Sequence, residues 1–168
     1  MARCTRVLCL FVVVLLSGRC ASDGPSPTGI TANLTKPPKP SGLVQCSPLA
    51  STTVKQTIGP AGGTMLIGPH AFVVPPGALA MPVTIQAKLA SSTANAIDFK
   101  PVGLVFLTPA SVTLSYANCN TLGLSNPKQV AYTTDSLAII YYVSSQDDPS
   151  ARRVTGRVDH FSDFAVAW

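Results

Sequence analysis

Glutamate is absent from this 168-residue chain, and all seven acidic residues are aspartates. Aspartate side chains compete for nearby backbone groups and favour turns over helix interiors, so the acids alone speak against a helical protein. Helical periodicity is missing as well, since no segment spaces its apolar residues at three and four between capping residues. Charge is sparse, at 11% of residues, and the cations are dispersed. Beyond Arg3, Arg6 and Arg19 they are Lys36, Lys39, Lys55, Lys88, Lys100, Lys128, Arg152, Arg153 and Arg157. No run or face among them is dense enough to follow a phosphate backbone, which excludes a nucleic-acid partner. Histidine occurs twice, and His70 has no Cys, Asp or Glu at ligand spacing beside it. Neither a metal site nor a cofactor is expected.

What is present is apolar and rich in turns. Hydrophobic residues make up 46% of the chain and prolines number 15, the balance of one compact apolar core with many interrupted connections. Residues 1–22 read as an export signal. Arg3 and Arg6 form its basic start, Val7 to Leu16 is unbroken and apolar, and Ser17, Gly18, Ala21 and Ser22 supply small residues for cleavage. The apolar run is too short to remain as a bilayer-spanning anchor, and no later segment is apolar enough to span.

The mature chain is therefore expected to start near Asp23 and to be extracellular, periplasmic or envelope-attached. Removing Arg3, Arg6 and Arg19 lowers the net charge from +5 to +2. Cys20 offers a second processing route, because a cysteine just after small residues is the acceptor in lipoprotein signals. The stretch Leu16-Ser17-Gly18-Arg19-Cys20 fits imperfectly, with a bulky cation directly before the cysteine. A lipid on Cys20 is the one membrane attachment the sequence offers.

Cys4, Cys9 and Cys20 fall within the removable segment, leaving Cys46 and Cys119, 73 positions apart. An even pair in an oxidising compartment points to a disulfide, with two buried thiols as the alternative. Closing a loop of that length stabilises by roughly 4 kcal/mol at most.

Residues 23–50 are rich in Pro, Ser and Thr, including Lys36-Pro37-Pro38-Lys39-Pro40, and read as a flexible or polyproline-like tether. Asn33-Leu34-Thr35 is a glycosylation sequon if the source is eukaryotic. Residues 51–168 form the folded domain. Short β-branched and apolar runs recur there between Gly, Pro, Asn and Asp, the spacing of an all-β fold. The expected strands are 54–58, 64–67, 71–74, 83–89, 96–99, 104–107, 111–116, 129–133, 137–143, 153–158 and 161–167, giving a single antiparallel β-sandwich of about nine to eleven strands. In Val83 to Leu89 the odd positions are apolar and the even ones polar, so one face is wet. Leu137 to Val143 is apolar on both faces, which predicts a central strand covered twice or a strand leaning on another protein.

Gly59, Gly62 and Gly63 crowd one turn, but no Lys-Ser or Lys-Thr pair opens a helix after them, so a tight turn is expected rather than a phosphate loop. Five motifs follow in order: the Gly62-Gly63-Thr64 turn, the strand into Pro75-Pro76-Gly77-Ala78-Leu79, Pro101-Val102-Gly103-Leu104-Val105-Phe106, Thr113-Leu114-Ser115-Tyr116, and His160-Phe161-Ser162. Together, across roughly Val54 to Trp168, they resemble the ZU-five domain, a family named for zonula occludens proteins and netrin receptors. The resemblance implies a β-sandwich interaction or scaffold module without a cofactor.

Some eukaryotic relatives cut their own backbone within the same tripeptide, so the resemblance also marks Phe161-Ser162 as a candidate self-cleavage bond. There Ser162 would be the nucleophile and His160 the base. The structural alternative is that Phe161 fills the core while His160 and Ser162 lie on the opposite face of the last strand. Asp147-Asp148, and Asp159 with Asp163, are weaker candidates for calcium or glycosidase chemistry.

The function expected from these residues is a non-catalytic exported module that binds a protein or a surface glycan through its loops or a strand edge. Single-turnover self-processing and a structural spacer in an envelope assembly are the alternatives.

Overall fold

The computed structural model describes residues 42–168; the expected signal, Cys20 and the tether up to residue 41 lie outside the described residues. Eleven strands and no helix make up the described part: β1 Thr52–Ile58, β2 Gly63–Ile67, β3 His70–Val74, β4 Val83–Leu89, β5 Ala96–Lys100, β6 Val105–Ser115, β7 Gln129–Thr133, β8 Ile139–Tyr142, β9 Ser145–Asp148, β10 Arg153–His160 and β11 Asp163–Ala167. They build a six-stranded sheet in the order β1-β4-β5-β11-β7-β8 and a five-stranded sheet in the order β2-β3-β6-β10-β9. Every ladder is antiparallel, and the two sheets form the all-β sandwich that the alternating pattern implies.

Alternation decides which side chains fill the space between the sheets. In β4, Ile85, Ala87 and Leu89 are buried while Thr84 and Lys88 are exposed. Five phenylalanines occupy the centre: Phe99 stacks on Phe161 at 5.0 Å, Phe72 and Phe106 pack on Phe161 at 5.2 and 5.0 Å, and Phe164 meets Phe99 edge-on. Aromatic pairs at these separations add to the area term rather than merely filling volume. Between β10 and β7 the sheets approach so closely that a Cβ on Gly156 would lie 2.7 Å from side-chain atoms of Val130 and of Val143.

Four expectations are corrected. The run at 137–143 is not a covered central strand: β8 is the last strand of its sheet, and β11, buried at all five positions, is the covered one. The apolar run therefore lies on a sheet edge, with Ile140 and Tyr141 exposed. The separate strands expected at 104–107 and 111–116 are one strand, β6, continuing through Pro109. A proline is accommodated there because the β6–β10 register shifts between Val158 and His160, removing the regular partner for its missing N–H.

Ser145–Asp148, with no apolar alternation to announce it, pairs with β10 as an edge strand. The packed region also begins before residue 51. Leu43 bridges Ala167, and the Val44 N–H donates to the Val166 carbonyl at 3.0 Å. Of the three crowded glycines, Gly62 has φ +76° and a Cβ there would overlap the Val74 carbonyl oxygen, so that turn requires glycine.

Candidate functional site

His160, Phe161 and Ser162 do not share one strand. His160 ends β10, Asp163 begins β11, and Phe161-Ser162 is the crossing from the five-stranded to the six-stranded sheet. Phe161 fills the core, as the structural alternative required, but Ser162 is buried rather than displayed on an outer face. The Phe161 N–H donates to the Leu104 carbonyl at 2.8 Å, and the Phe161 carbonyl accepts from the Gly103 N–H at 3.2 Å. The His160 ring lies 5.5 Å from the Tyr132 ring.

That ring borders an open cleft of about 460 Å³ at the β8 side of the sandwich, lined by Pro109, Tyr141, Arg157, Asp159, His160 and neighbouring residues of β8. Tyr132 carries the aromatic row onward, meeting Tyr141 at 4.9 Å and Phe164 at 6.1 Å. Burial, followed by the nearby Tyr132 and Asp159, pushes the Tyr141 hydroxyl above the usual phenol range. On β8 itself Ile140 is 52% and Tyr141 42% exposed. The adjacent large apolar residues were visible in the sequence; their position on a sheet edge was not.

The opposite end of β6 is built around a disulfide. Cys46 and Cys119 are joined, with an S–S distance of 2.03 Å. Asn95 donates through Nδ2 to the Ser115 carbonyl at 2.8 Å and to Asn118 Oδ1 at 2.7 Å. Asn118 returns a bond to Asn95 Oδ1 at 3.1 Å and reaches the Ser47 carbonyl at 2.6 Å. These bonds hold the loop after β6 against the sandwich. Between that loop and the β9–β10 turn lies a cavity of about 550 Å³, lined by residues that include Tyr116, Lys128, Asp147 and Arg152. The Tyr116 hydroxyl donates to Asp147 Oδ1 and the Lys128 backbone N–H to Asp147 Oδ2, both at 2.7 Å. Burial and the Asp147 bond raise the Tyr116 hydroxyl's pKa. Nothing in the sequence marks Lys128 or Arg152 as neighbours.

The aspartates considered for calcium or glycosidase chemistry serve different places. Asp147 braces the loop just described. Asp148 Oδ1 accepts from Ser150 Oγ at 2.6 Å and the Ala151 N–H at 3.0 Å, shaping the β9–β10 turn. Asp159 borders the β8 cleft, and Asp163 faces Asp98 across the β11–β5 ladder. Among the described residues no group of three or more His, Cys, Asp or Glu is arranged to hold a metal ion. His70 is buried at the end of β3, with Nδ1 accepting the Ser115 N–H at 3.0 Å. No protein-family model matches the chain, and no curated protein matches it.

Proposed function

We propose that this chain is an exported, non-catalytic β-sandwich module of ZU-five type that binds a partner protein at the cell envelope or outside the cell. The observation that carries the reading is the β8 edge, where Ile140 and Tyr141 stand exposed on the terminal strand of the six-stranded sheet. The template for strand addition is the outer row of backbone N–H and C=O groups on a terminal strand, and the exposed Ile140 and Tyr141 side chains add apolar surface beside it. The aromatic cleft alongside, with Arg157 and Asp159, supplies side-chain pockets that main-chain pairing alone lacks. An extended segment of the partner, laid along β8, would use both.

Photo-crosslinking in the producing cells tests it. A photoreactive residue at position 141 should give a discrete adduct that the same residue at Lys55, on the opposite edge strand β1, does not. A glycan adduct at 141 would replace the protein partner by a surface glycan. No adduct at 141, or the same adducts at both positions, would favour a structural spacer.

One observation favours a second reading, self-processing at Phe161-Ser162. The Gly103 N–H on the Phe161 carbonyl is placed as a donor to the oxygen that would gain charge during attack. Ser162 Oγ would add to that carbonyl, converting the amide to an ester as its proton passes by way of His160 to the leaving nitrogen; water would then hydrolyse the ester. Intact mass under denaturing conditions decides: a parent chain split after Phe161 beside an intact Ser162→Ala chain supports cleavage, and two intact chains end the reading.

A further inference from the structure

Two cations line the cavity beside the disulfide, and among the described residues neither makes an ion-pair contact with a carboxylate. Lys128 is only 5% exposed, and its ammonium donates to the backbone carbonyls of Leu124 at 3.2 Å and Asn126 at 2.7 Å. Arg152 directs one guanidinium nitrogen to the Cys119 carbonyl at 2.7 Å. The one ion pair among the described residues is Lys100 with Asp98, on another part of the fold. Lysine is rarely this buried unless paired, and among the described residues the bonds made leave one ammonium proton and most of the guanidinium fork without a partner. Asp147, the carboxylate lining the cavity, already accepts at both oxygens. The cavity thus carries one net positive charge.

Arg152 also occupies a backbone position that glycine would suit better, with φ +51°. That conformation is held by its carbonyl, which accepts the Tyr116 N–H at 2.8 Å. What arginine adds at such a position is its side chain. The remaining lining mixes the hydroxyls of Thr121 and Ser125 with the apolar surfaces of Leu124, Pro127 and Pro149. A volume of about 550 Å³ lies within the range of small-ligand sites.

We propose that this cavity is a binding site for a small acidic sugar of the uronate class, its carboxylate seated between Lys128 and Arg152. A planar carboxylate matches the guanidinium fork, and a monoanion matches the single excess charge. The ligand's hydroxyls meet Thr121 and Ser125, and its C–H faces meet the prolines and Leu124. The site stands apart from the β8 edge and does not depend on what binds there.

The test is an NMR titration of the ¹⁵N-labelled chain with sodium glucuronate at constant ionic strength, with glucose and inorganic phosphate as comparison probes. Glucuronate should shift the amides of Thr121, Lys128 and Arg152 saturably and bind about tenfold or more tightly than either comparison probe. Arg152→Gly should stay folded, because relief of the positive φ offsets loss of the bond to the Cys119 carbonyl, yet lose about tenfold or more in glucuronate affinity. Lys128→Gln should weaken binding in the same direction. Shifts absent from the cavity, glucose or phosphate binding as well as glucuronate, or a fully competent Arg152→Gly would each overturn the assignment.

Discussion

Asp163 of β11 lies directly across the ladder from Asp98 of β5. Burial, followed by the carboxyl groups of Asp135 and Asp98 that hydrogen-bond to it, pushes Asp163 up to about 7. Lys100 answers Asp98 at 3.2 Å, and Lys88 of β4 is Asp98's other cross-strand neighbour. A carboxyl raised in the folded state contributes stability that is present below its unfolded pKa and lost as pH rises through the folded one. Relative to Asp163→Asn, the parent should therefore lose about 1 to 2 kcal/mol between pH 5 and pH 8, a figure reduced for sharing among three carboxyls and for solvent screening. Urea midpoints of the two proteins across that window check it.

His70 has the opposite slope. Burial, with the Arg153 charge adding to it, pushes the imidazole down to about 4, and its Nε2 has no hydrogen-bond partner among the described residues. The unfolded chain then binds the proton first, so this contribution is complete above about pH 6.5 and is lost as pH falls towards 4, by up to about 3 kcal/mol. His70→Phe should flatten that acid limb while costing about 1 to 3 kcal/mol at pH 7, because the Ser115 N–H loses its acceptor. Equilibrium unfolding at pH 4.5 and pH 7 separates the two effects.

Gly156→Ala should destabilise by about 1 to 3 kcal/mol, since the new methyl meets Val130 and Val143 with no flexible end to yield. Val143→Ala in the same chain should recover part of that loss, because it removes the Cγ2 that the new methyl meets. A double-mutant cycle that shows no coupling would deny the close approach of the sheets.

Replacing Cys46 and Cys119 together by alanine should lower stability by up to about 4 kcal/mol, the loop-closure value for a separation of 73 residues. The change should appear as a lower denaturant midpoint, with the β-sheet circular dichroism retained under native conditions.

Strands whose residues alternate, such as β4, or whose apolar runs are punctuated by Gly and Pro, such as β2 and β3, were legible because period-2 burial is written directly into residue type. β9 was not: Ser-Gln-Asp-Asp forms a strand only because β10 offers a ladder beside it. The edge position of β8 was not legible either, because an apolar run specifies burial or a partner without saying which, and strand order is set by long-range pairing. The cysteine pair was readable from the count, once Cys4, Cys9 and Cys20 were set aside with the expected signal. The Lys128–Arg152 cavity was not, since it joins a loop and a turn 24 residues apart whose approach depends on the Asn95–Asn118 amide pair and the disulfide.

Binding through the β8 edge is put to the test by a saturation assay of the purified chain on cells that produce it, comparing the parent with Ile140→Lys/Tyr141→Ser. Both side chains are exposed, so the double variant should fold like the parent. Saturable retention of the parent and about a tenfold or greater loss for the variant is the expected result. Equal retention of the two proteins would contradict it.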